Sequence, residues 1–269
     1  MAAKYSAGGS RRSGGGGGGG GRRALPLVLL VMLLGGLGYV GYGYWKGQEA
    51  RQTDAATGCL SKAPTPQAAL FLVDATDQLS RENAERIGSR IKDAVDGLDR
   101  YSRVIIVSFG GDTATPLHQI FNGCVPGNAA TARWDEGGQL LAKQYAGFKT
   151  QLDELLGRLQ KLPDSKTSPI SEQVIRAASD PQLHWQGKVR TLVLVTDGLE
   201  STIYWTRHLK LPDPPAGLLS GVRAEYFEIG NEKANKLQTH EMRIEWKSWL
   251  ERAGADARMT APGFPANPD

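Results

Sequence analysis

Two short stretches gather the side chains that could do chemistry. In Ala68 to Ser80, AALFLVDATDQLS, an apolar run stops at Asp74, Thr76, Asp77 and Gln78; in Thr191 to Glu200, TLVLVTDGLE, a second run stops at Thr196, Asp197 and Gly198. Apolar runs of this length, closed by a carboxylate, read as buried strands whose polar residues collect at the carboxyl end. In open α/β sheets that end is where ligands bind. A third stretch, Thr167-Ser168-Pro169-Ile170, adds hydroxyls just before a helical pattern. Carboxylate and hydroxyl oxygens suit a hard divalent cation, Mg²⁺ or Mn²⁺, which takes one or two carboxylates and keeps several waters. The same residue types also make turns and helix caps. The alternative, from a different class, is an exported metal-dependent hydrolase or phosphotransferase using Asp74 and Asp197.

Other chemistries have less to stand on. Aspartyl phosphotransferases place a second Asp two residues after the first, where this chain has Thr76, and no lysine-bearing strand end is evident. His118, His184, His208 and His240 lack ligand spacing, and neither a Gly-x-Ser-x-Gly turn nor a phosphate-loop glycine pattern occurs. Trp185, Trp246 and Trp249 read as packing residues. Trp205, inside the Pro-rich and basic segment Tyr204 to Leu219, is the candidate partner contact, because that segment follows the Asp-Gly loop; the alternative is an irregular connection with Trp205 tucked in as a packing residue.

Positioning these loops requires alternating strands and helices. A strand from about Ala68 to Val73 leads to Ser80 as N-cap, and Ala84, Ile87, Ile91, Ala94, Val95 and Leu98 recur at helical spacing up to Gly97. Arg103 to Phe109 is a second buried strand, followed by an irregular strand and a cysteine-bearing turn. Helical patterns cover Gly138 to Leu162 and the segment from Ile170, with Ser168 as N-cap and Pro169 in the first turn. Val189 to Thr196 and Val222 to Ile229 are further strands, the latter nearer an edge. A helix from His240 to Ala253 precedes a Pro-rich tail read as frayed. This alternation gives an α/β fold with a doubly wound, mostly parallel sheet flanked by helices.

The N-terminus is a different device. Residues 1–23 are Gly, Ser and Arg rich and cannot bury enough apolar surface to fold. Ala24 to Trp45 then runs twenty-two residues without a charge, enough to cross about 30 Å of hydrocarbon as one helix. Tyr39, Tyr42, Tyr44 and Trp45 crowd its far end like an aromatic belt. Five basic residues precede it, so the positive-inside rule puts the N-terminus in the cytoplasm and the rest in the periplasm or outside the cell. A cleaved signal peptide is the rival, but no small-x-small site closely follows Leu34. The expected organisation is a cytoplasmic tail over 1–23, a signal-anchor helix over 24–45, a linker over 46–66, one domain over 67–256 and a flexible tail over 257–269.

Charge and cysteine use agree with export. The formal charge is +4, and removing Lys4, Arg11, Arg12, Arg22 and Arg23 leaves the remainder near −1. A nucleic-acid partner is therefore not expected, since that binding needs a basic face on the folded part. The only cysteines, Cys59 and Cys124, both follow the apolar span. An even count fits one disulfide in an oxidising compartment, the alternative being two unrelated buried thiols.

On Asp74-Ala75-Thr76-Asp77-Gln78, the hydroxyls at 167 and 168, and Asp197-Gly198, residues 67 to 256 resemble the von Willebrand factor A domain family. That family's metal-ion-dependent adhesion site has Asp-x-Ser-x-Ser after the first strand, a Thr in a later loop and Asp-Gly after the fourth strand. The resemblance implies Asp74, Thr76 and Asp197 as metal residues, with Ser168 better placed than Thr167 to supply the loop hydroxyl. Gln78 stands where the second hydroxyl belongs, so the site is degenerate. Asp77 and Gly198 would flank the partner surface. The implied function is a non-enzymatic protein-interaction module in which a partner carboxylate can complete the metal shell, displayed from the cell (inner) membrane as part of an envelope assembly.

Overall fold

Seven consecutive buried residues make β1 (Gln67–Asp74) the centre of the domain. A strand buried on both faces must be covered on both, and its β-branched and apolar side chains sort by parity into two cores. Leu70 and Leu72 enter one, Ala69, Phe71 and Val73 the other. In the computed structural model, residues 21–49, 52–54, 56–76, 79–110, 116–127, 137–159, 167–201, 210–230 and 235–260 are described. They fall into two compact units, Met1–Glu49 and Ala50–Asp269.

The second unit holds a six-stranded sheet. Its other strands are β2 (Arg103–Phe109), β3 (His118–Cys124), β4 (Val189–Thr196), β5 (Val222–Glu228) and β6 (Asp256–Thr260), in the order β3-β2-β1-β4-β5-β6. Only the β2–β3 pair is antiparallel. The order reverses between β1 and β4, which makes their carboxyl ends a topological switch point.

Helices α2 (Arg81–Asp96) and α3 (Gly138–Leu156) cover one face, while α4 (Ile170–Ser179) and α5 (His240–Arg252) cover the other. Ser80 starts α2 as expected, accepting the Asn83 N–H at 3.1 Å, and Ile87, Ile91 and Val95 bury its apolar stripe. Thr239 caps α5 by accepting from the Met242 N–H at 3.3 Å. Trp246 and Trp249 are fully buried, and their indole N–H groups donate to the carbonyls of Gly198 (2.9 Å) and Pro212 (2.7 Å). Trp185 is buried too and donates to the Ala68 carbonyl at 3.1 Å.

Several boundaries differ from the sequence reading. The helix expected to reach Leu162 ends at Leu156, capped by the Gly157 N–H. Ser168 is not an N-cap: Pro169 holds that position in α4 and makes no side-chain cap bond of its own. Beyond α5 the chain does not fray at residue 257, because β6 pairs with β5 from Asp256 to Thr260.

The linker region contains ordered structure of its own. Thr53 bridges Leu60, Asp54 Oδ1 accepts from the Thr57 N–H and hydroxyl, each at 2.8 Å, and the Cys124 N–H donates to the Thr57 carbonyl. A disulfide joins Cys59 to Cys124, with both cysteines buried. The expected pair therefore exists, and it ties the segment before β1 to the end of edge strand β3.

The first unit contains α1 (Gly21–Glu49), which encloses the uncharged stretch of the sequence. Leu30, Met32, Leu33, Leu34, Leu37 and Val40 are exposed on it. Among the described residues no helix is long and apolar enough to cross a membrane; the side chains of 21–29, 31, 44 and 47–49 are outside that description.

Candidate functional site

Asp74 is the last residue of β1 and only 3% exposed. A carboxylate at such a depth needs donors on both oxygens, and four are supplied from three segments. Oδ1 accepts from the Thr76 N–H at 3.0 Å and the Thr76 hydroxyl at 2.7 Å. Oδ2 accepts from the Ser168 hydroxyl at 3.0 Å and the Thr196 hydroxyl at 2.7 Å. Strand register explains the last contact: Val73 lies opposite Val195, so Asp74 and Thr196 emerge together at the ends of adjacent strands.

The loop after β4 is folded onto this cluster. Thr196 Oγ1 accepts the Gly198 N–H at 3.0 Å, and Asp197 Oδ1 accepts the Leu199 N–H at 2.9 Å. Gly198 has φ +77, a left-handed conformation that suits glycine. It also has no room for a side chain: a Cβ there would collide with the Tyr226 hydroxyl and lie 2.8 Å from Met242 Cε. Gln238 buttresses the loop from behind, donating to the carbonyls of Asp197 (3.0 Å) and Ile229 (2.8 Å).

Electrostatics follow from this crowding. Burial, and then the nearby Asp197 charge, push the Asp74 carboxyl up from its ordinary 3.8 to about 6, against the opposing pull of the hydrogen bonds from Thr76 and Thr196. Burial also drives the Tyr226 phenol well above its usual range, with the Glu228 charge adding to it.

The donor set fits a hard divalent cation. Two buried carboxylates repel each other here, and a cation between such groups removes that repulsion. The hydroxyls that donate to Asp74 retain lone pairs for a metal. Among the described residues no group of three or more His, Cys, Asp or Glu converges, so an ion would rely on Asp74 and Asp197 together with the hydroxyls of Thr76 and Ser168, and water.

Of the residues expected at the site, Asp74, Thr76 and Ser168 are brought together by hydrogen bonds, and Asp197 is close enough to act on Asp74 electrostatically. Gly198 joins them through its N–H, which donates to the Thr196 hydroxyl that bonds Asp74. Asp77, Gln78 and Trp205 are outside the described residues. Thr196 is the member that sequence reasoning left as a strand end without a role; its signal is its place one residue before Asp197 at the end of a buried run.

No protein-family profile matches the chain, and no curated protein matches it. Among solved structures, the chain is similar to a von Willebrand factor type A protein from Catenulispora acidiphila, at 14% identity and TM-score 0.36, over 73% of this chain and 39% of that one. It is similar to the human COPII-coat protein Sec24c at 15% identity and TM-score 0.39, over 77% and 31%. A third similar structure is the manganese-loaded Plasmodium vivax TRAP protein, at 16% identity and TM-score 0.33, over 64% and 62%. The chain thus spans less than two thirds of the length of each of these structures.

Proposed function

We propose that this is a single-pass membrane protein that displays a von Willebrand A-like protein-interaction module outside the cytoplasm, binding partners through the carboxyl edge of its sheet as part of an envelope assembly. The observation that carries this reading is the convergence of the Thr76, Ser168 and Thr196 hydroxyls on the buried carboxylate of Asp74, beside Asp197. A hard cation, Mg²⁺ or Mn²⁺, held there would offer a free coordination position to a partner's carboxylate. Exposed apolar side chains on α1 and the five basic residues before Ala24 support the membrane anchor. The Cys59–Cys124 bond supports an oxidising compartment.

Thermal melting of the full chain in detergent tests the cation. A bound ion stabilises the folded state by about 2.7 kcal/mol at a concentration one hundred times its dissociation constant. Wild type should melt higher in Mn²⁺ or Mg²⁺ than in EDTA, and Asp74→Ala should show no difference between them. Melting that ignores both the ions and the substitution removes the adhesion-site reading. Phosphoester turnover by wild type that Asp74→Ala abolishes would favour the hydrolase alternative.

Topology is tested separately by protease protection in intact cells. The folded domain should be digested only after the outer barrier is opened, with the extreme N-terminus still protected by the membrane. Protection of the whole chain until the cytoplasm is breached would overturn the orientation.

A further inference from the structure

Ser168 reaches Asp74 from a loop that has no cap of its own, and something must hold it there. The first backbone N–H groups of a helix need outside acceptors. In α4 one of them, the Ser171 N–H, is met from the loop after β4. Glu200, 2% exposed, accepts the Ser171 N–H through Oε2 at 2.7 Å. One residue further on, the Ser201 hydroxyl accepts the Ser168 N–H at 2.7 Å, and the Ser201 N–H donates to the Ser168 carbonyl at 2.9 Å. Ser168 is thus gripped on both its backbone polar groups by a single residue, while its hydroxyl points to Asp74. Glu200 itself is anchored to the site loop, because its N–H donates to the Gly198 carbonyl at 3.0 Å.

We infer that Ser201 and Glu200 are positioning residues for the Asp74 site, acting as a clasp that carries the Asp197-Gly198 loop and the Ser168 turn as one body. The inference deepens the proposed cation site and rests on it for its consequence in binding, but the clasp itself acts on Asp74 whether or not an ion is present. Its logic is that of outer-shell groups at metal sites, which orient ligands without touching the ion. Loosening the clasp frees Ser168 to rotate away from Oδ2, and the site loses one of its hydroxyls.

Ser201 is the sharper probe because it is exposed, so trimming it to alanine opens no cavity in the core. The first measurement is a double-mutant cycle by urea unfolding of the full chain in EDTA, comparing wild type, Asp74→Asn, Ser201→Ala and the double variant. If Ser201 acts through Ser168 on Asp74, the two substitutions are non-additive, whereas a residue that merely stabilises its own loop gives additive effects. Additivity overturns the inference. The second measurement is Mn²⁺ affinity read from the melting shift. Ser201→Ala and Glu200→Gln should each weaken it about tenfold, and Ser201→Thr, which keeps the hydroxyl, should restore it. Unchanged Mn²⁺ affinity in Ser201→Ala also overturns the inference. If wild type shows no Mn²⁺ shift at all, the cation reading fails and the cycle in EDTA alone decides the clasp.

Discussion

The Thr196 hydroxyl donates to Asp74 Oδ2 at 2.7 Å across the junction of β1 and β4, joining the two strand ends at the point where the sheet order reverses. The contact is buried on both sides, so it is strong only while Asp74 is ionised and accepting. It favours the ionised carboxylate, but burial and the Asp197 charge disfavour ionisation more strongly, and that balance sets how the domain responds to pH.

The Asp74 carboxyl stands at about 6 in the folded chain, raised by burial and by Asp197 from its ordinary 3.8. Between those two values the folded state holds the extra proton and the unfolded state does not, so stability falls as pH rises through this window. The shift corresponds to roughly 3 kcal/mol, absent below pH 4 and fully opposed to folding at pH 7. Urea unfolding across pH 4 to 7 should show this loss in wild type without metal. Asp74→Asn, which cannot ionise, should flatten that part of the curve, and a slope unchanged by the substitution would assign the effect elsewhere.

Much of this arrangement is legible along the chain. The runs at Leu70 to Val73 and Leu192 to Val195 announce buried strands because both faces of each are covered, and Ser80 announces α2 because its cap is local. Thr196 is not legible in the same way: its partner lies 122 positions earlier, and only register brings the two together. Ser168 misleads for a related reason, since a serine before Pro169 has the local signature of a cap, but tertiary contacts turn its hydroxyl to Asp74 and leave capping to Glu200. The last strand, Asp256 to Thr260, alternates exposed and buried residues over only five positions, too short a pattern to separate from a tail.

The Cys59–Cys124 disulfide closes a separation of 65 residues, and the chain-entropy relation for a loop of that size gives about 4 kcal/mol of stabilisation. Replacing both cysteines with serine should lower the unfolding free energy by up to that amount. Because both sulfurs are buried, the native protein should resist reduction and alkylation until it is unfolded. Rapid labelling of both cysteines under native conditions with mild reductant would contradict the buried bond.

Gly198 combines a left-handed backbone with a position pressed against Tyr226 and Met242. Gly198→Ala therefore meets both a backbone penalty and a packing penalty, together about 3 kcal/mol. The same displacement would move Asp197 and the Gly198 N–H that Thr196 accepts, so metal-induced stabilisation should disappear along with stability. A variant that unfolds at the wild-type urea midpoint would show that the loop can relax without cost.

Tyr226 presents the opposite case, a side chain whose polar atom makes no hydrogen bond among the described residues although it is fully buried. An unmet buried hydroxyl costs stability, roughly 1 kcal/mol or more, whereas the ring stacks on Trp246 with centroids 6.0 Å apart and contributes packing. Tyr226→Phe keeps the ring and removes the unmet group, so the urea midpoint should rise by the equivalent of about 1 kcal/mol with no change in slope. The hydroxyl also lies against Gly198, directly behind the Asp197 loop. If Tyr226→Phe instead lowers stability and weakens Mn²⁺ binding together, the hydroxyl is bonded through water to the site loop, and tyrosine is retained there for the site rather than for the core.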